Sequence, residues 1–208
     1  TVKDRRLSVP LLEFDKHLTG YHSRKEPLGT YVRYLLKSSP QSVAHVPNLV
    51  LLRDALHWEE TLDFKRIEGE RAALLERMVN NLSKANLERL VGRSAQYRLG
   101  RISYGDYYRF LRALCEDSGV KLDDYAQLSA YVRYVLLAER INRNDLLTEL
   151  GSLERNVQDG LVSTAEEQRI VDSARHLALL ERLVKHAYTP SDWVYHMTHE
   201  TEILNVGN

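Results

Sequence analysis

Three arginines and one tyrosine are spaced four residues apart, at Arg89, Arg93, Tyr97 and Arg101. If this segment is helical, the four side chains project from one face. A guanidinium group is a planar donor fork that can bind phosphate or carboxylate groups in a bidentate way. The stripe is therefore a candidate anion-binding site, and polyanion or nucleic-acid binding is one possible function. We favour the simpler interpretation of a solvated face that the acidic C-terminal part of the chain neutralises.

Two histidines near the C-terminus, His196 and His199, lie three residues apart, with Glu200 and Glu202 after them. On a helix the two imidazoles could share a metal ion, and a metal-dependent enzyme is a second alternative function. The two-histidine zinc-protease motif instead spaces the histidines four apart, with a glutamate between them. Solvent-facing histidines are the preferred interpretation, and the sequence predicts no bound metal and no cofactor.

Sequence motifs of other enzyme classes are absent from the chain. It contains no Gly-rich phosphate loop and no Gly-x-Ser-x-Gly nucleophile motif. A di-iron helical bundle is excluded because only Asp54-x-x-His57 resembles the paired motif that it requires. The single cysteine, Cys115, lies in an apolar stretch where a packed thiol is expected. No catalytic residue is predicted.

Two tyrosine pairs recur in similar strings, at Tyr31-Val32-Arg33-Tyr34 and at Tyr131-Val132-Arg133-Tyr134. The tyrosines of each string share a helical face. Packing of the aromatic bodies is favoured over stacking on nucleic-acid bases, because buried rings with wet hydroxyl ends are the common case.

The charge of the chain is balanced, with 29 Lys plus Arg and 29 Asp plus Glu in 208 residues. Such a chain lacks the overall cationic field that draws proteins to nucleic acid or anionic lipid. The charge is nevertheless uneven: residues 61 to 120 carry 11 cations and 8 anions, whereas residues 121 to 208 carry 9 and 14. No apolar run is long enough to span a bilayer, so a soluble cytoplasmic domain is expected. The start at Thr1 suggests a fragment of a longer protein.

Two long segments carry the apolar period of an amphipathic helix. The first follows Asp63, and the second follows Asn142; both residues are good N-caps. A shift of 79 residues superposes Asp63 on Asn142, Glu70 on Glu149, and Asn48-Leu49 on Gln127-Leu128. Caps and core positions coincide at one offset, which indicates a duplicated helical unit.

Two short strings align instead at a shift of 86 residues, where Ser103 to Tyr107 meets Thr189 to Trp193. Both strings have the Ser/Thr-x-x-Asp pattern of a helix start. We therefore expect an N-terminal region and first unit over residues 1–101, a second unit over 102–188, and a terminal helix over 189–208. The fold class is all-α, a duplicated antiparallel helical unit in a bundle or short array.

The strings LDFKRIEGERAALLERMV, YRLGRISYGDYYRFLRALC and YVRYVLLAERIN resemble the helical portion of uncharacterised bacterial proteins that are associated with a TraB/ChaN-like domain. The resemblance covers about residues 45 to 195. It implies a helical region of a larger protein and carries no catalytic residue to this chain.

The leading hypothesis is a non-enzymatic helical scaffold or protein–protein interaction domain, because duplicated helical hairpins commonly form extended binding surfaces. The expected partner is another protein or a neighbouring domain of the same polypeptide.

Overall fold

The computed structural model describes residues 6–186, 190–200 and 203, and these residues form helices without any β-strand. The all-α fold class is confirmed. The α-helices are α1 (Val9–His22), α2 (Leu28–Ser38), α3 (Pro47–Glu60), α4 (Phe64–Val79), α5 (Lys84–Arg98), α6 (Tyr104–Ser118), α7 (Ala126–Ala138), α8 (Arg143–Leu161), α9 (Ala165–Val184) and α10 (Pro190–Thr198). Short 3-10 helices precede α3 (Pro40–His45) and α7 (Leu122–Asp124).

The chain divides into two compact units. The central unit comprises Pro27–Glu154, and the terminal unit combines Thr1–Glu26 with Arg155–Asn208. The predicted division into 1–101, 102–188 and 189–208 concerns repeated segments rather than compact units, and it stays a prediction. None of the described helices is both long and apolar enough to cross a bilayer.

The core of the central unit is built from the apolar stripes of α4, α6 and α7. Ile67, Leu74 and Met78 of α4 are nearly inaccessible, as the helical period predicts. Other buried members of this cluster are Leu90, Tyr107, Tyr108, Leu111, Leu114, Cys115, Val120, Leu128, Val132 and Val135.

The predicted helix starts are confirmed where the structure describes them. Asp63 accepts a hydrogen bond from the Arg66 backbone N–H at 3.1 Å. Asn142 Oδ1 accepts from the backbone N–H of Asn144 at 3.0 Å, and Ser103 Oγ accepts from that of Asp106 at 3.0 Å. These side chains satisfy N–H groups that the first helical turn leaves without partners.

The capping box at the start of α9 lies one residue later than the sequence pattern Ser163-Thr164-Ala165-Glu166 indicates. Ser163 with Glu166 fits the pattern, but the structure uses Thr164 with Glu167. The Glu167 carboxylate also accepts from the Ser8 backbone N–H at 2.7 Å, which ties it to the start of α1. Hydrogen bonds from the Ser163 hydroxyl and backbone N–H, together with the one from Ser8, lower the pKa of Glu167 to about 2. A sequence pattern does not reveal this long-range partner, and it therefore does not choose between the two boxes.

The sequence α-helix, 3-10 helix, α-helix, α-helix occurs twice, as α2 to α4 and as α6 to α8. Helices α2 and α6 correspond by position, so Tyr31-Val32 matches Tyr107-Tyr108 rather than Tyr131-Val132. Each of the two segments also contains an equivalent ion pair. Arg33 contacts Glu60 at 2.8 Å in the first, and Arg109 contacts Glu139 at 2.7 Å in the second.

Helices α3 and α7 start without a local side-chain cap, because Val46 and Tyr125 occupy their N-cap positions. Distant carboxylates take this role. Glu149 of α8 accepts from the Leu49 backbone N–H at 3.0 Å, and Glu70 of α4 accepts from the Leu128 backbone N–H at 2.8 Å. Leu49 and Leu128 are each the third residue of their helix. Each segment thus supplies the carboxylate that caps a helix of the other.

A second pair of hydrogen bonds repeats the same reciprocity. Asn48 Oδ1 accepts from the Asn142 backbone N–H at 2.8 Å, and Gln127 Oε1 accepts from the Asp63 backbone N–H at 2.8 Å. The side chain near the start of α3 therefore binds the N-cap residue of α8, and its counterpart in α7 binds the N-cap residue of α4. Residues related by 79 positions make equivalent contacts in both directions.

We expect replacement of either capping carboxylate to destabilise the protein. Glu70→Ala and Glu149→Ala each leave a helix N-terminus without its acceptor, which costs about 1 to 3 kcal/mol of unfolding free energy. Urea denaturation followed by circular dichroism measures this loss. Glu76→Ala is the matched control, because Glu76 is an exposed residue of the same helix as Glu70. Equal stability of all three variants would refute the capping role.

Candidate interaction surface

The predicted arginine stripe is not one continuous surface. Arg89 and Arg93 lie exposed on α5, as expected. The helix ends at Arg98, and Gly100 adopts a left-handed backbone conformation with φ of 64°. Arg101 is exposed but follows this turn, so it does not continue the helical face. The spacing of four residues is misleading here because the helix stops before its last member.

Arg89 and Arg93 converge on one aromatic ring of the neighbouring helix. The guanidinium carbons of both residues lie 5.8 Å from the centroid of the Phe110 ring. This distance permits a cation–π interaction, which is weak at an exposed site. Arg89 also donates to Asn86 Oδ1 at 3.1 Å. The guanidinium groups of Arg89 and Arg93 thus lie over the interface between α5 and α6.

Tyr97, the aromatic member of the stripe, packs into a tyrosine cluster instead of accompanying the arginines. Its ring stacks on Tyr107 at 4.3 Å and meets Tyr104 edge-on at 5.3 Å. The cluster continues through Tyr108 to Tyr131, whose rings are 5.3 Å apart. Burial raises the pKa of Tyr97, and it raises the pKa of Tyr131 to about 12. The favoured interpretation of packed tyrosines agrees with these contacts.

The buried side of α5 is narrower than its sequence indicates. Leu90 is buried, at 5% exposure, but Val91 and Leu99 are 64% and 65% exposed. Their apolar side chains predict that Val91 and Leu99 belong to the buried side, and the structure contradicts this prediction. Val91 and Leu99 line a groove between α4 and α5. The groove is lined by Leu75, Val79, Leu87, Leu90, Val91, Ser94, Ala95, Arg98 and Leu99.

The interface between the corresponding helices α8 and α9 is occupied by side chains. Counted from the helix starts, Val79 and Ser94 correspond to Gln158 and Arg175. Arg175 donates to Gln158 Oε1 at 2.8 Å and contacts Asp159 at 2.6 Å. The joint between α8 and α9 is thus occupied by a polar network, whereas the equivalent positions of α4 and α5 carry small or apolar side chains.

The groove has one charged residue in its lining, the exposed Arg98. Helix α5 with the residues just after it is strongly cationic, and its counterpart α9 has more anions than cations. Arg98 therefore places one positive charge at the apolar lining, whereas Arg89 and Arg93 lie over Phe110 on the α6 side of the helix. The exposed cations of this segment are Lys84, Arg89, Arg93, Arg98 and Arg101, and its one anion is Glu88.

The two histidines of the metal hypothesis pack against aromatic rings. His199 stacks on Tyr195 at 4.0 Å, and its Nδ1 lies 3.0 Å from the Tyr195 carbonyl oxygen. His196 stacks on Trp193 at 5.9 Å. Glu202 lies outside the described residues. Within the described part of the chain, no three His, Cys, Asp or Glu side chains gather in a way that would hold a metal ion.

Cys115 is buried in the central core, 3.8 Å from the sulfur of Met78. Burial raises the pKa of its thiol to about 11, with a smaller contribution from the charge of Glu116. A thiol with this pKa is almost fully protonated at neutral pH and is a poor nucleophile. The interpretation of Cys115 as a packed residue agrees with this environment.

Comparison with family models, curated proteins and solved structures finds no match to this chain. The groove, the tyrosine cluster and the capping carboxylates are therefore interpreted from their own geometry.

We expect the tyrosine cluster to lose stability at high pH. Since the folded pKa of Tyr131 lies near 12, above the ordinary value of 10, its contribution is complete below pH 10. It is lost as the pH rises through about 12. Denaturation in urea at pH 9 to 12 measures this slope, and Tyr131→Phe should flatten it. Tyr21→Phe, at a residue of the terminal unit outside the cluster, is the control. Parallel curves for Tyr131→Phe and the wild type would contradict the assignment.

Proposed function

We propose that this chain is a non-enzymatic helical scaffold of a larger protein, and that it binds partner polypeptides along the α4–α5 groove. One observation carries the proposal. The groove is open and apolar, while the equivalent joint between α8 and α9 is filled by Arg175 and its hydrogen-bond partners. Exposed apolar clefts with polar borders are typical of protein-interaction sites.

Several residues of types that could perform chemistry have structural roles in the described part of the chain, which supports a scaffold. The carboxylates of Glu70 and Glu149 cap helices. The thiol of Cys115 is buried, and the ring of His199 is stacked on Tyr195. The resemblance to helical regions that accompany a TraB/ChaN-like domain also implies that this chain is part of a larger protein.

Both helices that line the groove are anchored by contacts to the rest of the central unit. Helix α4 supplies Leu75 and Val79 to the groove, and the same helix caps α7 through Glu70. Helix α5 is anchored by Leu90 in the core and by Tyr97 stacked on Tyr107. A preformed apolar groove suits an amphipathic helix, because little conformational entropy is lost on the scaffold side.

A display library of helical peptides tests this function. We expect selection on the immobilised protein to enrich peptides with an apolar stripe of period 3.6. The double variant Val91→Lys/Leu99→Lys should weaken their binding at least about tenfold, which corresponds to 1.4 kcal/mol. Fluorescence anisotropy of the purified peptides measures this affinity.

Leu147→Lys is the matched control, because Leu147 is 64% exposed on α8 and does not line the groove. Circular dichroism and urea denaturation verify that all variants remain folded. Peptides that bind the wild type and the groove variant equally well would reject the groove as the binding site.

Polyanion binding is a second candidate, supported by the convergence of Arg89 and Arg93 on Phe110. Two exposed guanidinium groups held over one ring can contact neighbouring phosphates. For this candidate, Arg89→Gln/Arg93→Gln should reduce the affinity for a labelled single-stranded oligonucleotide about tenfold. Binding should also fall steeply as salt rises from 50 to 200 mM, roughly in proportion to the phosphates contacted. Arg101→Gln is the control, and an equal loss with that variant would remove the specific site.

A further inference from the structure

Helix α10 presents an apolar ridge. Trp193, Val194 and Met197 are 56%, 64% and 60% exposed. Residues at these spacings lie on one side of a helix. Three large apolar side chains on a nine-residue helix form a patch rather than isolated exposed residues.

The same ridge occurs in α2 and α6, where it is covered. It consists of the fourth, fifth and eighth residues of each helix. In α2 and α6 every one of these residues is at most 3% exposed. The residues are Tyr31, Val32 and Leu35 in α2, and Tyr107, Tyr108 and Leu111 in α6. The type of ridge found on α10 is thus one that this fold elsewhere packs against other helices.

The ridge and the α4–α5 groove are complementary in chemistry. The groove is apolar and contains Arg98 but no acidic side chain. Residues 190–200 contain no lysine or arginine, and the exposed Glu200 follows Met197 by three residues. A ridge that enters the groove would bury apolar surface on both sides and bring the Glu200 carboxylate to the Arg98 guanidinium.

We infer that the α4–α5 groove of one chain binds the α10 ridge of a second copy of the same chain. The inference rests on the proposed function of the groove and names its occupant. Trp193, Val194 and Met197 supply the apolar contacts to Val79, Val91 and Leu99 of the other copy. Glu200 pairs with Arg98.

The two contacting surfaces differ, so the association is heterologous and proceeds head to tail. Each open assembly keeps one free groove at one end and one free ridge at the other, unless it closes into a ring. The assembly therefore extends beyond a dimer as concentration rises, and its mean mass increases steadily rather than reaching a plateau at two copies.

Sedimentation velocity of the full 208-residue chain over a wide concentration range provides the first test. We expect the mass to rise with concentration for the wild type. The groove variant Val91→Lys/Leu99→Lys and the ridge variant Val194→Glu/Met197→Glu should each remain monomeric. The controls Leu147→Lys and Leu177→Glu replace residues that are 64% and 63% exposed outside both surfaces, and they should associate like the wild type.

Mixing the two blocked variants provides the second test. The groove variant retains an intact ridge, and the ridge variant retains an intact groove. Their mixture should form a one-to-one heterodimer that does not grow further, because each partner contributes only one working surface. Glu200→Gln in the ridge partner should weaken this heterodimer several-fold at low salt.

Several results would overturn the inference. They are a wild-type chain that stays monomeric at all concentrations, association that either blocked variant retains, and a mixture that forms no heterodimer. If the wild type is monomeric but selected helical peptides still bind the groove, the proposed function stands and only the second copy as occupant is rejected. If no peptide depends on the groove, the proposed function fails as well.

Discussion

The central unit depends on hydrogen-bond acceptors for the starts of α3 and α7, which are buried and have no local caps. Backbone N–H groups at the start of a helix have no intrahelical acceptors, and burying them unpaired is costly. Val46 and Tyr125 offer no acceptor to α3 and α7, so Glu149 and Glu70 supply it from distant helices. Each carboxylate requires that the other segment be folded and in register. The reciprocal arrangement therefore fixes the register of the two segments, because hydrogen bonds are directional.

The placement of the groove follows from this coupling. Helix α4 cannot move relative to α7 without breaking the contact between Glu70 and Leu128. Its outer residues Leu75 and Val79 are therefore presented in one fixed orientation. Helix α5 closes the other side because Leu90 is buried in the core and Tyr97 is stacked on Tyr107. The surface assigned to binding is a consequence of contacts that stabilise the fold.

The helix pairs α4–α5 and α8–α9 have similar residues at some corresponding positions and different residues at others. Leu90 and Val171 occupy the same position of α5 and α9, and both are buried. Val79 and Ser94 correspond to Gln158 and Arg175, which form a polar network. The positions with similar residues belong to the core. Those with different residues leave a groove between α4 and α5 and occupy the interface between α8 and α9. The same contrast separates the covered ridges of α2 and α6 from the exposed ridge of α10.

The sequence by itself indicated the all-α class, the caps Asp63, Ser103 and Asn142, and the offset of 79 residues that relates Asp63 to Asn142 and Glu70 to Glu149. These features depend on contacts within a few residues, which periodicity and capping patterns describe directly. The role of Glu70 and Glu149 as caps was decided by the tertiary structure, since their acceptors meet N–H groups 58 and 100 residues away. The four residues of the arginine stripe do not share one helical face for a related reason: an even spacing does not reveal that the helix ends at Arg98 or that Tyr97 packs inward. The groove also depends on tertiary structure, because Val91 and Leu99 look like core residues until the packing of α4 and α5 leaves them uncovered.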